Sequence, residues 1–227
     1  MKTIVVLTGA GISSESGIQT FRDANGLWEG HDVMEVASPQ GFHKNPELVL
    51  DFYNQRRRQV LSVKPNRAHL NLKKLEETFT VQIITQNVDD LHERAKSTNV
   101  LHLHGELLKV RSTVNPSLVY HWKKDLVCGD LCEERSQLRP HIVWFGEEVP
   151  LLNKAAEMTM NADIVVIIGT SMQVYPAASL IEYAASGTPI YFIDPSPTIK
   201  AHQYSNLTII SAIASTGTNK LLQLLRS

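Results

Sequence analysis

Short runs rich in β-branched residues alternate with helical patterns along this chain, and this alternation constrains the fold more than any other feature. The predicted strands are Thr3 to Thr8, Val81 to Thr85, Val100 to Leu103, His141 to Phe145, Asp163 to Ile168, Pro189 to Ile193 and Leu207 to Ile210. The helical patterns are Asn66 to Glu77, Leu151 to Met160, Ala177 to Ser186 and Thr218 to Leu225. Strands separated by helices pair in parallel. The sequence therefore predicts an α/β fold, a Rossmann-like parallel sheet with helices on both faces.

Two stretches do not follow the alternation, and we expect them to form a small inserted module. They are residues 26–64 and 105–139, and the second is polar, rich in turn residues and carries both cysteines. The Rossmann-like part then comprises about residues 1–25, 65–104 and 140–227 of a single domain.

Composition excludes several classes of partner. The 227 residues include 22 Lys and Arg and 23 Asp and Glu, with a net charge of −1, so nothing favours nucleic acid or another polyanion. No apolar run approaches the ~18 residues of a membrane span, and the N-terminus lacks a signal-peptide layout. Two cysteines are too few for a disulfide framework and fit a reducing compartment. We expect a soluble, cytoplasmic monomer without a nucleic-acid or membrane partner.

Polar clusters follow five of the predicted strands. They are Gly9 to Gly11, Gln86 to Asp89, His104-Gly105, Gly169 to Ser171 and Asp194 to Ser196. In open parallel sheets, ligands bind at the carboxyl ends of the strands. The clusters therefore predict one extended site along one rim of the sheet.

The loop Gly9 to Gly11 is the first ligand-binding candidate. Its glycines allow a tight turn and close approach of a pyrophosphate, while Ser13, Ser14 and Glu15 suit a helix start whose free amides favour an anion. The strict G-x-G-x-x-G pattern fails, because Ser14 occupies the third glycine position and Gly17 comes three residues late. The loop predicts a dinucleotide site, with NAD as the ligand; a merely structural turn is the alternative.

Asp194 bears on which dinucleotide binds. A carboxylate at this strand end accepts hydrogen bonds from ribose hydroxyls and repels a 2′-phosphate, which favours NAD over NADP. The alternative is a cap or turn residue before Pro195.

Acid–base residues stand at two other strand ends. His102 and His104 share one face of a strand, but only His104 lies at its end beside a glycine, so His104 is the better general-base candidate. A structural histidine is the alternative. Gln86, Asn87 and Asp89 could hold a carboxamide and position a water; a capping role for Asn87 or Asp89 is the alternative.

Residues 46–63 have the pattern of an amphipathic helix. Tyr53 and Arg56 are three residues apart, so a hydroxyl and a guanidinium can hold one carboxylate. An internal salt bridge of Arg56 is the alternative. Arg57 and Arg58 fall off the apolar stripe, and we expect them on a solvated face.

Cys128 and Cys132 have a spacing compatible with half of a zinc site, which needs four ligands. Only His121 and Glu133 lie near enough to substitute, and their spacing is poor. We therefore expect no structural zinc.

Read in order, these motifs resemble those of the sirtuin family over nearly the whole chain. The matching segments are Gly9 to Ser13, Gly17-Ile18, Thr20-Phe21-Arg22, Thr85 to Asp89, His104-Gly105, Pro140 to Glu147 and Gly169 to Ser171. Their joint order and spacing make the resemblance specific. The phrase Phe52-Tyr53-Asn54-Gln55-Arg56-Arg57 looks like the deacylase branch, whose tyrosine and arginine at these positions recognise acidic acyl groups.

The resemblance implies that acyl groups are removed from protein lysines, with NAD consumed as co-substrate and nicotinamide and O-acyl-ADP-ribose formed. It implies that His104 takes a proton from a ribose hydroxyl, that Asn87 and Asp89 orient water and the nicotinamide amide, and that Phe21 and Arg22 cover the nicotinamide end. The other cofactor residues it implies are Gly9, Ala10, Gly11, Ile12, Ser13, Gly17, Thr20, Trp28, Gln86, Val88, Gly169, Thr170, Ser171, Asp194, Pro195, Ser196 and Ala214.

The resemblance also implies an acyl-lysine peptide that adds as a strand between residues 143–147 and 173–176 through main-chain bonds. Besides Tyr53 and Arg56, the substrate-binding residues would be Val143, Phe145, Gly146, Glu147 and Val174. Two positions depart from the family pattern. Ser112 stands where the first of four zinc cysteines is usual, and Asp194 stands where asparagine is common.

Three other functions share parts of this pattern. A Rossmann dehydrogenase would have the same glycine loop and acidic strand end. A mono-ADP-ribosyltransferase would also cleave the nicotinamide bond, and a noncatalytic NAD-binding module would result if the missing zinc ligands relaxed the small module.

Overall fold

The computed structural model describes residues 1–19, 27–199 and 205–226. The strands, in chain order, are β1 (Thr3–Thr8), β2 (Leu27–Trp28), β3 (His31–Asp32), β4 (Thr80–Thr85), β5 (Val100–His102), β6 (Gly105–Ser112), β7 (Val119–His121), β8 (Leu138–Ile142), β9 (Ile164–Ile168), β10 (Ile190–Ile193) and β11 (Leu207–Ile210). The α-helices are α1 (Val33–Val36), α2 (Pro39–Lys44), α3 (Pro46–Ser62), α4 (Arg67–Leu75), α5 (Leu91–Arg94), α6 (Leu152–Met160) and α7 (Ala214–Leu224). Three 3₁₀ segments lie at Ala10–Ile12, Ser14–Ser16 and Ala177–Tyr183. Within the described ranges, no helix is long and apolar enough to cross a membrane.

The main sheet has six parallel strands in the order β11-β10-β9-β1-β4-β5. After β1 the chain first builds toward β4 and β5, and later adds β9, β10 and β11 on the other side. The direction of winding therefore reverses between β1 and β9. In open α/β sheets this reversal leaves a crevice at the carboxyl ends of the strands, where ligands bind. The predicted α/β class and Rossmann-like parallel sheet are confirmed.

The central strands are buried on both faces because alternate residues feed two separate cores. Ile4 and Val6 of β1 pack with α4 and α7, while Val5 and Leu7 pack with α6 and the 3₁₀ segment Ala177–Tyr183. Burial on both sides is why these strands read as continuous apolar runs rather than as alternating ones. It also holds the ends of β1 and β9 rigidly below the crevice.

A second, antiparallel sheet of order β7-β6-β8 lies outside the main sheet. It packs with α1 and α3 through a core that includes Phe52, Leu107, Ile142 and Trp144. Residues from both predicted insertions thus meet in one small module. The prediction of a strand at His141 to Phe145 in the parallel sheet is wrong. The strand in this region, β8, ends at Ile142 and pairs with β6 in the antiparallel sheet.

The expectation that Arg57 lies on a solvated face of helix α3 is wrong. The helix begins with Pro46 after the Asn45 cap, as its sequence predicts, but Arg57 is fully buried rather than solvated. Its Nε donates to the Leu107 carbonyl at 3.2 Å and its Nη1 donates to Asn54 Oδ1 at 2.6 Å. The face of α3 that looked polar is covered by the small sheet, and main-chain and amide oxygens offset the desolvation of the guanidinium. Arg58 is exposed, as expected, and pairs with Asp125.

Candidate active site

One cavity of about 970 Å³ opens along the carboxyl ends of the strands and continues beneath the small module. This is near the top of the range of about 300–1,000 Å³ for small-molecule sites. Most of the site residues predicted from sequence line it. They are Gly9, Ala10, Gly11, Ser13, Trp28, Tyr53, Arg56, Gln86, Asn87, Val88, Asp89, His104, Val143, Phe145, Gly146, Glu147, Gly169, Thr170, Ser171, Val174 and Ser196. Three of the five rim clusters line this space in full, and His104 and Ser196 line it from the other two.

The glycine loop leaves β1 at the point where the sheet reverses, and its glycines are needed for contact with the loop after β9. The amides of Gly9 and Gly11 donate to the carbonyls of Ile168 and Gly169, at 3.0 and 2.8 Å. A Cβ on Gly11 would lie 2.6 Å from the Gly169 Cα. The sequence interpretation assigned the close approach to a pyrophosphate; in the structure the backbone of Gly169 makes it. Gly11 itself lies in the 3₁₀ turn Ala10–Ile12, and a second 3₁₀ turn, Ser14–Ser16, follows where the sequence predicts a helix start.

We expect Gly11→Ala to lower both stability and NAD affinity. The atoms that the new methyl group would meet belong to the Gly169 backbone and cannot rotate away, so overpacking should cost about 1–3 kcal/mol. The two loops would separate at the crevice, which is where a dinucleotide would lie. Chemical denaturation measures the first effect, and calorimetric titration with NAD measures the second.

Gly187→Ala is the control for this substitution. Gly187 has a positive φ of 81° and open space around it, so alanine there carries the conformational cost of about 1–2 kcal/mol without a clash near the cavity. NAD affinity should stay at the wild-type value. Equal NAD affinities for the Gly11→Ala variant and wild type would show that this loop contact does not shape the site.

The two histidines after β4 differ in what their rings contact. His104 Nδ1 lies 3.1 Å from the Gln86 carbonyl oxygen, so it carries the proton and leaves the Nε2 lone pair free to accept one. Burial lowers the pKa of His104 below its ordinary value, so the ring is a neutral base. Both ring nitrogens of His102 are engaged, by the Asn87 carbonyl at 3.1 Å and by Glu93 at 2.7 Å. The geometry favours His104 as the base.

Asn87 and Asp89 form a buried network with Ser13. Asn87 Nδ2 donates to the Gly9 carbonyl at 3.1 Å and to Ser13 Oγ at 3.2 Å, and Ser13 Oγ donates to Asp89 Oδ2 at 2.9 Å. Burial raises the pKa of Asp89, against the hydrogen bonds from Leu91 and Ser13. The network ties the loop after β4 to the glycine loop. It fixes where the Asn87 and Asp89 side chains stand at the cavity wall.

Tyr53 and Arg56 line the same cavity from helix α3. Arg56 Nη1 donates to the Phe52 carbonyl at 2.7 Å, and its Nη2 lies 3.7 Å from Glu29, which is longer than a hydrogen bond. Its Nε is buried, with no hydrogen-bond partner in the described part of the chain. The sequence leaves two alternatives for Arg56, a substrate carboxylate and an internal salt bridge, and the contacts are compatible in part with each. An acidic neighbour is present, and a donor remains for an anion.

Glu147 has a structural role that sequence reasoning missed. Its carboxylate accepts from Arg139 at 2.6 and 3.0 Å, from Arg111 at 3.2 and 3.3 Å and from the Trp144 amide at 2.8 Å. Its amide also donates to the Trp144 carbonyl at 3.0 Å, so as a substrate-binding residue Glu147 would contribute its main-chain carbonyl. Arg139 and Trp144 were not predicted either. The sequence does carry a signal for Arg139: its guanidinium stands next to an apolar run and needs an anionic partner, and Glu147 follows eight residues later.

Several predicted cofactor residues do not line the cavity. Asp194 is 1% exposed and accepts from the Ser196 amide at 2.8 Å, which is the geometry of the turn alternative rather than of a free ribose ligand. Ile12 and Ala214 belong to the apolar core, Gly17 ends a 3₁₀ turn, and Pro195 is exposed beside the turn. Thr20, Phe21 and Arg22 lie outside the described residues.

The residues of the small module do not fit a structural zinc ion. In the described part of the chain, no three His, Cys, Asp or Glu side chains are grouped to hold a metal. Ser112 Oγ accepts from the amides of Val114 and Asn115 and lies 2.7 Å from Ser136 Oγ, which in turn lies 3.0 Å from Cys132 Sγ. Hydrogen bonds join β6 to the loop before β8 where the family pattern has metal ligands.

We expect EDTA to leave the midpoint of thermal unfolding and the activity unchanged, because these hydrogen bonds hold the module. Ser136→Ala removes two of them and should cost about 1 kcal/mol, lowering the midpoint by about 2–4 °C, with or without EDTA. Scanning calorimetry checks both effects. One equivalent of zinc in the purified protein, with a lower midpoint after EDTA, would contradict the expectation.

Comparison with known proteins agrees with this geometry. The model of the Sir2 family matches residues 9–176. The NAD-dependent protein deacylase of Helicobacter pylori is 62% identical over 214 residues, which cover 94% of this chain and 93% of that protein. A solved complex of a Sir2 homologue with NAD is 40% identical, with a TM-score of 0.88 over 99% of this chain and 90% of that chain. A solved Sir2 histidine variant with a deacetylated p53 peptide and 3′-O-acetyl ADP ribose is 30% identical, with a TM-score of 0.84 over 98% of this chain and 93% of that chain. Because the family model covers most of its length and the identity to relatives is this high, the chain belongs to the Sir2 family.

Proposed function

We propose that this chain is an NAD-dependent protein-lysine deacylase that removes acetyl groups and also acidic acyl groups such as succinyl and malonyl. The observation that carries the proposal is the single cavity. It joins a dinucleotide-sized rim at the sheet reversal, a neutral histidine with a free ring nitrogen, and a tyrosine–arginine pair under the small module. The names of the relatives support the NAD-dependent deacylase activity.

The rim residues fit NAD. Gly9 and Gly11 lack side chains, so the loop after β1 packs directly against Gly169 and both loops border the cavity, where Thr170 and Ser171 provide hydroxyls. NAD, when bound, supplies the ribose carbon that accepts the acyl oxygen as nicotinamide leaves. Asn87 and Asp89 are held at the wall by Ser13 and would orient the nicotinamide amide and a water. His104 Nε2 would accept the proton of a ribose hydroxyl.

The acyl-lysine would reach the cavity from a peptide bound as an added strand. Residues 143–147 and residues 173–176 both line the cavity. The amides of Val143, Trp144, Phe145 and Glu147 already donate within the protein, so an extended peptide would pair with the remaining main-chain groups of the two segments. Main-chain pairing gives little sequence selectivity. A solved relative holds a deacetylated p53 peptide together with 3′-O-acetyl ADP ribose, which supports both the peptide substrate and the product.

The acidic acyl preference rests on Tyr53 and Arg56. Both residues line the cavity, and the Nε of Arg56 is a buried donor without a hydrogen-bond partner in the described part of the chain. A charged donor without a full partner in a buried site favours a carboxylate there. An acetyl group has no carboxylate to use this site, whereas succinyl and malonyl groups do.

A panel of acetyl, succinyl and malonyl peptides with NAD tests the proposal, read by mass spectrometry. We expect stoichiometric deacylated peptide, nicotinamide and O-acyl-ADP-ribose, with the highest kcat/KM on the acidic acyl groups. Nicotinamide release without O-acyl-ADP-ribose, together with ADP-ribose on protein, would instead indicate an ADP-ribosyltransferase. NAD binding without any turnover would indicate a binding module.

A further inference from the structure

We propose that Trp144 is a positioning residue for acyl specificity. Its indole N–H donates a hydrogen bond to the Tyr53 oxygen and thereby directs the Tyr53 hydroxyl proton into the cavity, toward a substrate carboxylate. The inference rests on the proposed acidic deacylase function. It concerns a residue that contacts Tyr53, and not one that contacts the acyl group itself.

The hydrogen bond between the two rings carries the inference. Trp144 Nε1 donates to the Tyr53 hydroxyl oxygen at 2.9 Å, and the two side chains are 2% and 1% exposed. An indole nitrogen is only a donor, whereas a phenol has one proton and two lone pairs. Trp144 therefore takes up a lone pair, and the Tyr53 proton must find a different acceptor. No other hydrogen-bond partner of this hydroxyl occurs in the described part of the chain, and Tyr53 lines the cavity.

The indole is fixed independently of Tyr53. The guanidinium of Arg139 lies 3.3 Å from the centre of the Trp144 ring, and Phe42 packs on the same ring at 5.3 Å. Glu147 accepts the Trp144 amide and holds Arg139 with two further hydrogen bonds. Because the ring contacts Arg139 and Phe42 and the Trp144 backbone is bonded to Glu147, the direction of the N–H bond is set before any substrate binds.

The direction of this proton decides between substrates. A hydroxyl that donates into the cavity stabilises a carboxylate and gains nothing from a methyl group. Without the indole, the space that its N–H occupied is open to the hydroxyl proton or to water. The hydroxyl can then turn its proton away from the cavity and present a lone pair to the substrate anion. The neutral indole N–H of Trp144 thus makes the Tyr53 hydroxyl act as a hydrogen-bond donor to the substrate, beside the charged donor of Arg56.

The test is a double-mutant cycle with Trp144→Phe and Tyr53→Phe, assayed on succinyl-lysine and acetyl-lysine peptides. We expect Trp144→Phe to raise KM for the succinyl peptide roughly five- to tenfold, the weight of one hydrogen bond, and to change kcat little. Values for the acetyl peptide should stay within about twofold, and in the Tyr53→Phe background Trp144→Phe should add no further loss. Equal losses on both peptides, or additive losses in the cycle, would overturn the orientation role.

Two additional variants test the orientation role. Phe42→Leu loosens one contact that holds the Trp144 ring and leaves both hydrogen-bonding atoms, so its loss should be smaller than that of Trp144→Phe and again confined to the succinyl peptide. If Trp144→Phe folds poorly, benzothienylalanine at position 144 keeps the bicyclic shape without the N–H and should show the same loss on the succinyl peptide. A succinyl KM unchanged by this replacement would reject the inference while the deacylase function stands. A wild-type protein that removes acetyl but not succinyl or malonyl groups would reject the acidic specificity, and the inference with it.

Discussion

Replacing His104 with alanine is expected to lower kcat for deacylation by about 10²–10⁴, while NAD affinity changes little. The ring has one nitrogen committed to the Gln86 carbonyl and one free to accept a proton, and no neighbouring side chain duplicates this arrangement among the described cavity residues. Steady-state kinetics on an acyl peptide measures the loss. Calorimetric titration with NAD shows whether the binding site survives.

The control is His121→Ala, because His121 is exposed on β7 and lies outside the cavity. This variant should turn over at the wild-type rate. His102→Ala is less suitable as a control, since His102 contacts the Asn87 carbonyl and would disturb the network beside His104. Retained turnover in the His104→Ala variant would assign the base to another residue.

The pH profile gives an independent view of the same residue. His104 accepts a proton only when neutral, and burial lowers its pKa, so activity should persist to lower pH than for an exposed histidine. The acid limb of kcat/KM should therefore have its midpoint below the ordinary histidine value of about 6.5. A midpoint above that value would mean that another group controls the limb.

Arg56→Met is expected to reduce desuccinylation by about ten- to a hundredfold and to leave deacetylation nearly unchanged. Hydrogen bonds to charged groups contribute about 1.5–3 kcal/mol, and the buried guanidinium contributes them only when the acyl group carries a carboxylate. Methionine keeps most of the volume of the side chain. Separate kcat/KM values on succinyl and acetyl peptides give the ratio that tests the assignment.

Two comparisons sharpen the Arg56 experiment. Arg58 lies two residues after Arg56 on the same helix, is exposed and pairs with Asp125. Arg58→Met should alter neither activity. Tyr53→Phe should also favour acetyl over succinyl substrates, although it leaves the Trp144 indole without its acceptor and should cost some stability. If Arg56→Met reduced both activities alike, Arg56 would be a structural residue paired with Glu29.

The parallel sheet and its ligand-bearing rim could be predicted from local sequence, because both depend on short-range patterns. The run Thr3 to Thr8 and the polar residues that follow it predict β1 and the crevice without knowledge of any tertiary contact. His104 could be selected over His102 because a strand end is a local property. The contacts of the two rings then support that choice.

Residues whose roles depend on distant partners could not be predicted in this way. Arg57 looked solvated because its helix was considered alone, but β6 covers that face of α3 and supplies the Leu107 carbonyl. The signal for the three-stranded sheet was weak, since β7 has only three residues and β8 includes a proline.

The position of β1 at the centre of the sheet has a consequence for how the protein is made. During synthesis β1 emerges before β4 and can pair with it early, but Ile4 has no partner on its other side until Ile164 has been added. Pairings between such distant positions slow folding, because the long intervening chain must be ordered first. Nascent chains that end before Gly169 lack the backbone against which Gly11 rests. We therefore expect the crevice to form late, after most of the chain has left the ribosome.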